Sequence, residues 1–307
     1  MSVLILPRRI AALVSAIRLC YLKAKMKLRA PGKVNLYLKI IGKRSDGYHL
    51  IDSLLVPIGL YDDVEITRVE RDHRRVAVTC DDPMVPPGPK NLALRAARLL
   101  LSQAGAKESV RVRIRKRIPV GAGLGGGSTD AAATLMGINR LLHLGYSSAS
   151  LSRLGLSLGA DVPFFLLGRP AIAGGIGERL KAVAGLPDLW LVVLYPGFPV
   201  ATRWVYENLN FKLTKAIRNT KLNLPRYSCE QLSRLLVNDL EATTIRRYPR
   251  IGYFKERLMD EGATGALMAG SGSSVFGIFD EEEGAKRAYR RLRTEERVRA
   301  YVVRLLT

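Results

Sequence analysis

The stretch PVGAGLGGGSTD at residues 119–130 decides the fold of this 307-residue chain. Alternating residues over 110–118 predict a strand before it, and apolar residues at helical spacing over 128–142 predict a helix after it. Five glycines lie within 121–127, and a backbone without Cβ atoms adopts positive φ and lets amide groups approach an anion closely. The N–H groups and dipole at the start of the following helix also favour negative charge. The stretch is therefore predicted to bind phosphate.

The nucleotide-binding candidates are the residues of this loop and the first two hydroxyl residues of the helix. They are Pro119, Gly121, Gly123, Leu124, Gly125, Gly126, Gly127, Ser128 and Thr129. Ser128 or Thr129 supplies a hydroxyl to phosphate or to Mg²⁺.

Other glycine-rich loops fit these letters less well. A Walker loop needs Gly-Lys-Ser/Thr at its end, and Gly127 is followed directly by Ser128. A dinucleotide fingerprint is formally present at Gly121, Gly123 and Gly126, but it follows a β-rich segment deep in the chain instead of the first strand of a βαβ unit. A turn that serves packing alone would carry the entropic cost of these glycines without a ligand.

A lysine and an asparagine lie two residues apart in the segment APGKVNL at residues 30–36. Alternation over 34–40 predicts a strand, so Lys33 and Asn35 point to the same face. The glycine loop has no lysine of its own, which makes Lys33 the candidate cation for a transferring phosphate. Taken alone, Lys33 is more typical of a surface lysine at a strand edge.

The segment LGADVPFF at residues 158–165 places one carboxylate, Asp161, among apolar and small residues. An unpaired charge is costly in such surroundings, so a partner is expected. Two interpretations stay open from the residues alone: Asp161 pairs with Lys33 and accepts a proton from a substrate hydroxyl, or it caps the next turn.

The composition limits the class of protein. Lys plus Arg number 49 against 27 Asp plus Glu, a formal charge of +22 that attracts anions without choosing among them. Cys20, Cys80 and Cys229 have neither metal-ligand nor disulfide spacing, which favours a reducing cytoplasm. No stretch is long and apolar enough to span a membrane, and no nucleic-acid-binding motif is present, so no specific nucleic-acid partner is expected.

The chain is organised as strands and helices of an α+β protein. The carboxy-terminal part predicts a β-β-α-β order over 265–305, which is typical of α+β layering. The polar segment 210–228 predicts a mobile loop. Residues 1–25 form a basic extension that either precedes the true start at Met26 or has a targeting or membrane-surface role. The remaining predicted strands and helices cover 91–101, 170–173, 190–194, 204–208, 229–237 and 252–261.

Three motifs in this order resemble the galactokinase, homoserine kinase, mevalonate kinase and phosphomevalonate kinase (GHMP) superfamily: residues 30–35, residues 119–132, and MAGSGSSVF at 268–276. The resemblance implies a two-domain fold with the active site in the interdomain cleft. The amino-terminal ATP-binding domain, residues 26–170, would be ribosomal-protein-S5-domain-2-like, and the carboxy-terminal domain, residues 171–307, ferredoxin-like. The expected assembly is a monomer or homodimer.

Within the superfamily, GKRSDGYH at 42–49 and LGADVP at 158–163 are similar to the members that phosphorylate a cytidine-diphosphate-linked methylerythritol in the non-mevalonate isoprenoid pathway. This resemblance implies ATP and Mg²⁺, with the metal held mainly by the ATP phosphates. It implies that Asp161 orients or deprotonates the 2-hydroxyl and that Lys33 neutralises the transferring phosphoryl group. The implied substrate-binding residues are Asn35, Tyr48, His49, Tyr206, Gly270, Ser271 and Gly272.

Several residues of the resemblance have a second interpretation or depart from the family pattern. The run Asn238-Asp239-Leu240-Glu241 is similar to one common in these kinases, and it also fits a polar helix face. Gly32 departs from the family, which more often has alanine there. Tyr48 and Tyr206 would stack on the cytosine from two sides, although either also fits an ordinary aromatic at a core edge.

Three rival functions remain to be distinguished. A kinase of the same superfamily acting on homoserine or mevalonate is disfavoured by Asp46-Gly47-Tyr48-His49. A non-catalytic sensor is disfavoured by the presence of both Lys33 and Asp161, and a nucleic-acid binder by the lack of aromatic–basic interleaving. The enzymatic interpretation requires that Lys33 and Asp161 meet beside residues 121–127.

Overall fold

The computed structural model describes residues 25–69, 75–209 and 227–307. The predicted basic extension and the predicted mobile loop lie almost entirely outside these residues. Within them, helices pack on two sheets, which confirms the predicted α+β class. No helix in these three ranges is long and apolar enough to cross a membrane.

The first sheet has seven strands in the described part of the chain. They are β1 (Lys25–Lys43), β2 (His49–Val69), β3 (Val76–Cys80), β4 (Ser109–Arg115), β5 (Ala171–Gly174), β6 (Arg179–Ala182) and β8 (Val237–Asn238). Their order is β3-β4-β2-β1-β8, with β5 paired to β2 and β6 paired to β5. The two long strands β1 and β2 form an antiparallel hairpin at its centre.

The second sheet contains four strands among the described residues. They are β7 (Trp190–Tyr195), β9 (Gly265–Met268), β10 (Val275–Phe279) and β11 (Arg299–Arg304). Their order is β11-β7-β10-β9, and all neighbours are antiparallel. The predicted β-β-α-β close of the chain is confirmed.

Nine α-helices are described over the same ranges, together with a 3₁₀ turn at Gly88–Lys90. They are α1 (Leu92–Gln103), α2 (Gly126–Leu141), α3 (Ser148–Leu156), α4 (Val162–Leu167), α5 (Thr202–Glu207), α6 (Cys229–Leu235), α7 (Glu241–Arg247), α8 (Arg250–Asp260) and α9 (Glu282–Leu292). Helices α1 and α2 cover one face of the first sheet, and α8 and α9 cover the second sheet. Gly137 lets α2 approach β2, because a Cβ there would lie 2.3 Å from the Ile66 side chain.

A shared core joins the two sheets. Val34 and Leu36 of β1 belong to one buried cluster with Leu191 of β7 and Phe276 of β10. The second sheet covers the face of β1 that carries Val34 and Leu36, and Gly32–Leu38 is buried without interruption, so the other face of the strand is covered as well. A strand covered on both faces buries polar side chains as well, and this is how Lys33 and Asn35 enter the interior.

Most predicted elements are confirmed within two residues, but helices α3, α4 and α7 and strands β3, β6 and β8 were not predicted. The predicted strands over 34–40 and 110–118 are observed as Lys25–Lys43 and Ser109–Arg115. Strand β2 was not predicted, because residues 53–58 are all buried and the alternation of apolar and polar residues is lost there. The predicted domain boundary at 170/171 stays a prediction; strands β5 and β6, which follow it, pair within the first sheet.

Candidate active site

A cleft of about 1000 Å³ brings together segments from both halves of the chain. Strand β1, residues 119–123 and 125–128, and residues 160–161 line one part of it. Helix α5 and the turn between β9 and β10 line the opposite part. Pockets of this size and composition are typical sites for small-molecule ligands.

The glycine-rich loop runs directly into helix α2 at the wall of this cleft. Gly123 and Gly125 have φ values of +78° and +75°, and Gly125 is the residue that caps α2. A Cβ at Gly123 would lie 1.9 Å from the carbonyl oxygen of Ala269, so this glycine is required for packing. Packing does not explain Gly127, whose Cβ would meet only the Leu92 side chain, at 3.6 Å. The open first turn of α2 therefore remains available to an anion.

Lys33 lies on β1 beside this loop and is 4% exposed. Its Nζ donates a hydrogen bond of 2.7 Å to Oδ1 of Asn35, whose Nδ2 donates to Oγ of Ser53. The backbone N–H of Lys33 donates to the carbonyl oxygen of Leu124 at 3.0 Å. Burial lowers the pKa of the lysine, and the nearby Asp161 carboxylate opposes that shift. The lysine is thus held rigidly, with its ammonium at the cleft.

Asp161 lies beside Lys33 in the cleft, with 4.0 Å between its Oδ2 and the lysine Nζ. Its side chain is 38% exposed, so it reaches the solvent-filled part of the cleft. Asp161 precedes α4 but makes no capping hydrogen bond, so the capping interpretation is not what this side chain does. The two residues that had to meet beside the glycine loop do so.

The hairpin turn between β1 and β2 places the aromatic candidates at the other end of the cleft. Arg44 and Asp46 form an ion pair of 2.7 Å, and Gly47 has a φ of +90° in this turn. Tyr48 emerges from it 58% exposed. The ring centroid of His49 lies 5.2 Å from that of Tyr206 on α5, at an interplanar angle of 34°.

Two titratable groups at this end have shifted pKa values. Burial and the Lys43 charge lower the pKa of His49, which favours the neutral imidazole. Burial, with a smaller contribution from Asp161, raises the pKa of Tyr206, so its hydroxyl stays protonated. The neutral rings offer stacking surfaces with polar edges.

The turn between β9 and β10 approaches both Lys33 and the glycine loop. A Cβ on Gly270 would lie 2.9 Å from the Gly123 carbonyl oxygen and 3.1 Å from the Lys33 Nζ. The hydroxyl groups of Ser271 and Thr202 are hydrogen-bonded at 2.8 Å. Thr202 lines the cleft and was missed from the sequence, because no motif marks it.

Not every predicted site residue lines the cleft. Leu124, Thr129 and Gly272 are absent from its walls, whereas Ser128 is part of them. Thr129 is 1% exposed and its N–H donates to the Gly125 carbonyl oxygen, so of the two hydroxyl candidates for Mg²⁺ only Ser128 faces the cleft. Across the described ranges, no group of three or more His, Cys, Asp or Glu could hold a metal ion.

A buried charged cluster beneath the loop was not predicted. Nζ of Lys116 lies 2.5 Å from Oδ2 of Asp62 and 2.9 Å from Oδ2 of Asp130. Oδ1 of Asp62 accepts the N–H groups of Arg117 and Ile118 at 2.6 and 2.9 Å. These bonds fix the backbone just before the loop. The sequence carries no sign of the cluster, because its members come from three distant segments.

Comparison with known proteins assigns this geometry to a family. Residues 91–169 match the GHMP kinases N terminal domain, and residues 215–297 match the GHMP kinases C terminal domain. A 4-diphosphocytidyl-2-C-methyl-D-erythritol kinase of Syntrophotalea carbinolica is 46% identical over 89% of this chain and 96% of its own length. One of Geobacter metallireducens is 48% identical over 86% and 92%.

Solved structures agree with the sequence comparison. A crystal structure of 4-(cytidine 5'-diphospho)-2C-methyl-D-erythritol kinase has a TM-score of 0.77 and 38% identity, covering 91% of this chain and 99% of that chain. A homoserine kinase of Cytophaga hutchinsonii shares only the fold, with a TM-score of 0.70 and 17% identity over 93% and 95% of the two chains. The chain is a small-molecule kinase, and it belongs to the GHMP kinases and, within them, to the 4-diphosphocytidyl-2-C-methyl-D-erythritol kinase family.

Proposed function

We propose that this kinase transfers the γ-phosphoryl group of ATP to the 2-hydroxyl of 4-diphosphocytidyl-2-C-methyl-D-erythritol, in the non-mevalonate route to isoprenoid precursors. One observation carries the proposal. A buried lysine and a cleft-facing carboxylate, Lys33 and Asp161, stand 4.0 Å apart beside a loop with free amide groups. Phosphoryl transfer needs mainly alignment and charge stabilisation, and these parts supply both.

Asp161 is the proposed base. It accepts the proton of the substrate hydroxyl while the hydroxyl oxygen forms a bond to the γ-phosphorus. The bond from that phosphorus to the β,γ-bridging oxygen breaks, and ADP leaves. Lys33 neutralises charge on the transferring group, and Asn35 fixes the ammonium by accepting its hydrogen bond.

The proposed nucleotide site is the loop and the first turn of α2. The amide groups of Gly126 and Gly127 and the helix dipole favour the phosphates there. Mg²⁺ would be held mainly by the ATP phosphates, with the Ser128 hydroxyl as the protein group that faces it, and would neutralise phosphate charge.

The proposed cytidine site is formed by Tyr48, His49 and Tyr206 at the far end of the cleft. Stacking on aromatic rings supplies affinity, and polar contacts to the edge of the base supply selectivity. The turn at Gly270 and Ser271 would form the wall of the cleft beside the polyol, between the cytosine and the transferring phosphoryl group.

A phosphate-transfer assay tests the proposal. The purified protein is offered ATP with the cytidylyl methylerythritol, homoserine or mevalonate in parallel, and ADP formation is measured. We expect turnover of the first alcohol alone. Turnover of homoserine or mevalonate instead would contradict the proposed substrate while leaving the kinase family intact.

We propose a cytoplasmic location, supported by the unpaired thiols of Cys80 and Cys229 in the described part of the chain. The assembly as monomer or homodimer also stays a prediction.

A further inference from the structure

The run Asn238-Asp239-Leu240-Glu241 connects two walls of the active-site cleft, and of its four residues Leu240 lines the cleft. It begins in β8, which pairs in parallel with β1 through Tyr37–Val237 and Leu38–Asn238. Strand β1 carries Lys33. On the side away from β1, the run contacts the turn between β9 and β10.

The side chain of Asn238 connects that turn to the start of helix α7. Its Nδ2 donates to the carbonyl oxygens of Met268 and Gly270, at 2.9 and 2.7 Å. Its Oδ1 accepts the N–H of Leu240 at 3.0 Å. Asn238 is only 6% exposed, so each of these groups would lack a water partner if the amide were removed.

The neighbouring residues strengthen the same connection. The N–H of Asp239 donates to the Leu38 carbonyl oxygen, and Oδ2 of Asp239 accepts the N–H of Ile40 at 2.7 Å. Oε1 of Glu241 accepts the Met268 N–H at 3.0 Å, while Oε2 pairs with Lys255 at 2.6 Å. The run therefore binds β1 and the turn at the same time.

The front of the turn touches the catalytic machinery. Gly270 leaves so little space that a Cβ would meet both the Gly123 carbonyl oxygen and the Lys33 Nζ. The N–H of Ser274 donates to the Ala122 carbonyl oxygen at 3.2 Å. Movement of the turn would thus be transmitted to the lysine and to the phosphate-binding loop together.

We propose that Asn238 is a positioning residue of the transfer reaction, which sets the distance between the turn, Lys33 and the glycine loop. It does not line the cleft and acts through the Gly270 carbonyl. This inference rests on the proposed function, because its readout is turnover of the cytidylyl alcohol.

The test compares Asn238→Ala with Asn139→Ala. Asn139 pins backbone in a similar way, with its amide bonded to the N–H and carbonyl of Tyr146 at the end of α2, away from the cleft. Both variants should lose comparable stability. We expect kcat of Asn238→Ala to fall roughly 50-fold, since misplacement of about 1 Å costs up to ~100-fold, with the KM for ATP changed less than about threefold. A kcat within about twofold of Asn139→Ala would overturn the proposal.

A second variant keeps the test decisive if the alanine variant does not fold. Asn238→Asp preserves size and shape, and its carboxyl donates a hydrogen bond only when protonated. The ratio of variant to wild-type kcat should therefore rise as pH falls from about 8 to about 6. A ratio near one at every pH would contradict the inference. Failure of the wild-type protein with this alcohol would instead contradict the proposed substrate.

Discussion

Two lysine–carboxylate groups flank the glycine-rich loop, and they differ in the distance between their charges and in the exposure of their carboxylates. Lys33 and Asp161 stand 4.0 Å apart with the carboxylate at the cleft. Lys116 touches Asp62 and Asp130 at 2.5 and 2.9 Å, and all three side chains are buried. The first pair is longer than a hydrogen bond, and its carboxylate is open to the cleft. In the second group, the charged side chains bind one another and two backbone N–H groups. The comparison therefore distinguishes a pair proposed for catalysis from a cluster that stabilises the fold.

The largest expected effect concerns the pair of Lys33 and Asp161. Asp161→Asn should lower kcat roughly 1000-fold, because removal of a general base typically costs ~10²- to 10⁴-fold, while the melting temperature stays nearly unchanged. Steady-state kinetics and calorimetry measure the two quantities. Asp188→Asn is the matched control, since Asp188 also lies 4.0 Å from a basic partner, Arg304, but on the exposed surface. Equal turnover by Asp161→Asn would remove the proposed base.

Substitution in the buried cluster of Lys116, Asp62 and Asp130 should instead lower the stability of the protein. Asp62→Asn should lower the free energy of unfolding by about 3 kcal/mol, because it breaks a buried ion pair. Chemical denaturation measures this change. Asp63→Asn affects an exposed pair with Arg117 and should cost less than about 1 kcal/mol. A stability loss for Asp62→Asn no larger than that of Asp63→Asn would show that the cluster is not structural.

The burial of Asp130 in this cluster also predicts a pH dependence. Burial, and then the Asp62 charge, raise the pKa of Asp130 to about 7, against the opposing attraction of Lys116. The native state therefore holds a proton that the unfolded state releases at its lower pKa, so stability falls as pH rises between about 4 and about 7. Asp130→Asn removes this dependence, and its stability relative to wild type should increase by about 2–3 kcal/mol between pH 5 and pH 8.

Few titratable groups lie near Asp130, so variants can identify the group that causes the pH dependence. Besides Lys116 and Asp62, the thiol of Cys80 and the carboxylate of Asp81 lie in the same electrostatic surroundings. Denaturation curves of wild type, Asp130→Asn and Cys80→Ser across this pH range assign the effect. An unchanged pH dependence in Asp130→Asn would place the titrating group elsewhere.

The smallest expected effect is at the cleft mouth. Tyr48→Ala should raise the KM for the cytidylyl alcohol about fivefold and leave kcat and stability nearly unchanged, because loss of one stacking contact costs about 1 kcal/mol. Tyr253→Ala, at an exposed tyrosine on α8, is the control. Identical KM values for the two variants would exclude Tyr48 from base recognition.

Local patterns were sufficient for part of this protein. The glycine loop, the helix that follows it and the alternating segment around Lys33 are each encoded by residues close together in the chain, and all three are observed. The same holds for the β-β-α-β close. Backbone conformation and amphipathic spacing are short-range properties, so adjacent residues determine them.

Other features were decided only by tertiary structure. The 4.0 Å separation of Lys33 and Asp161 joins residues 128 positions apart. The Lys116 cluster and the Asn238 contacts likewise join distant strands and turns. Strand β2 loses its alternating pattern because the second sheet covers it, which a local pattern does not report.

The sequence by itself determined the α+β fold, and it predicted a phosphate-binding loop with a lysine and an aspartate for phosphoryl transfer. Only the tertiary structure decided which lysine and carboxylates remain open for chemistry and which neutralise each other. The reason is physical: the energy of a charge depends on its burial and on the distance to its partners, and both arise when distant segments pack together.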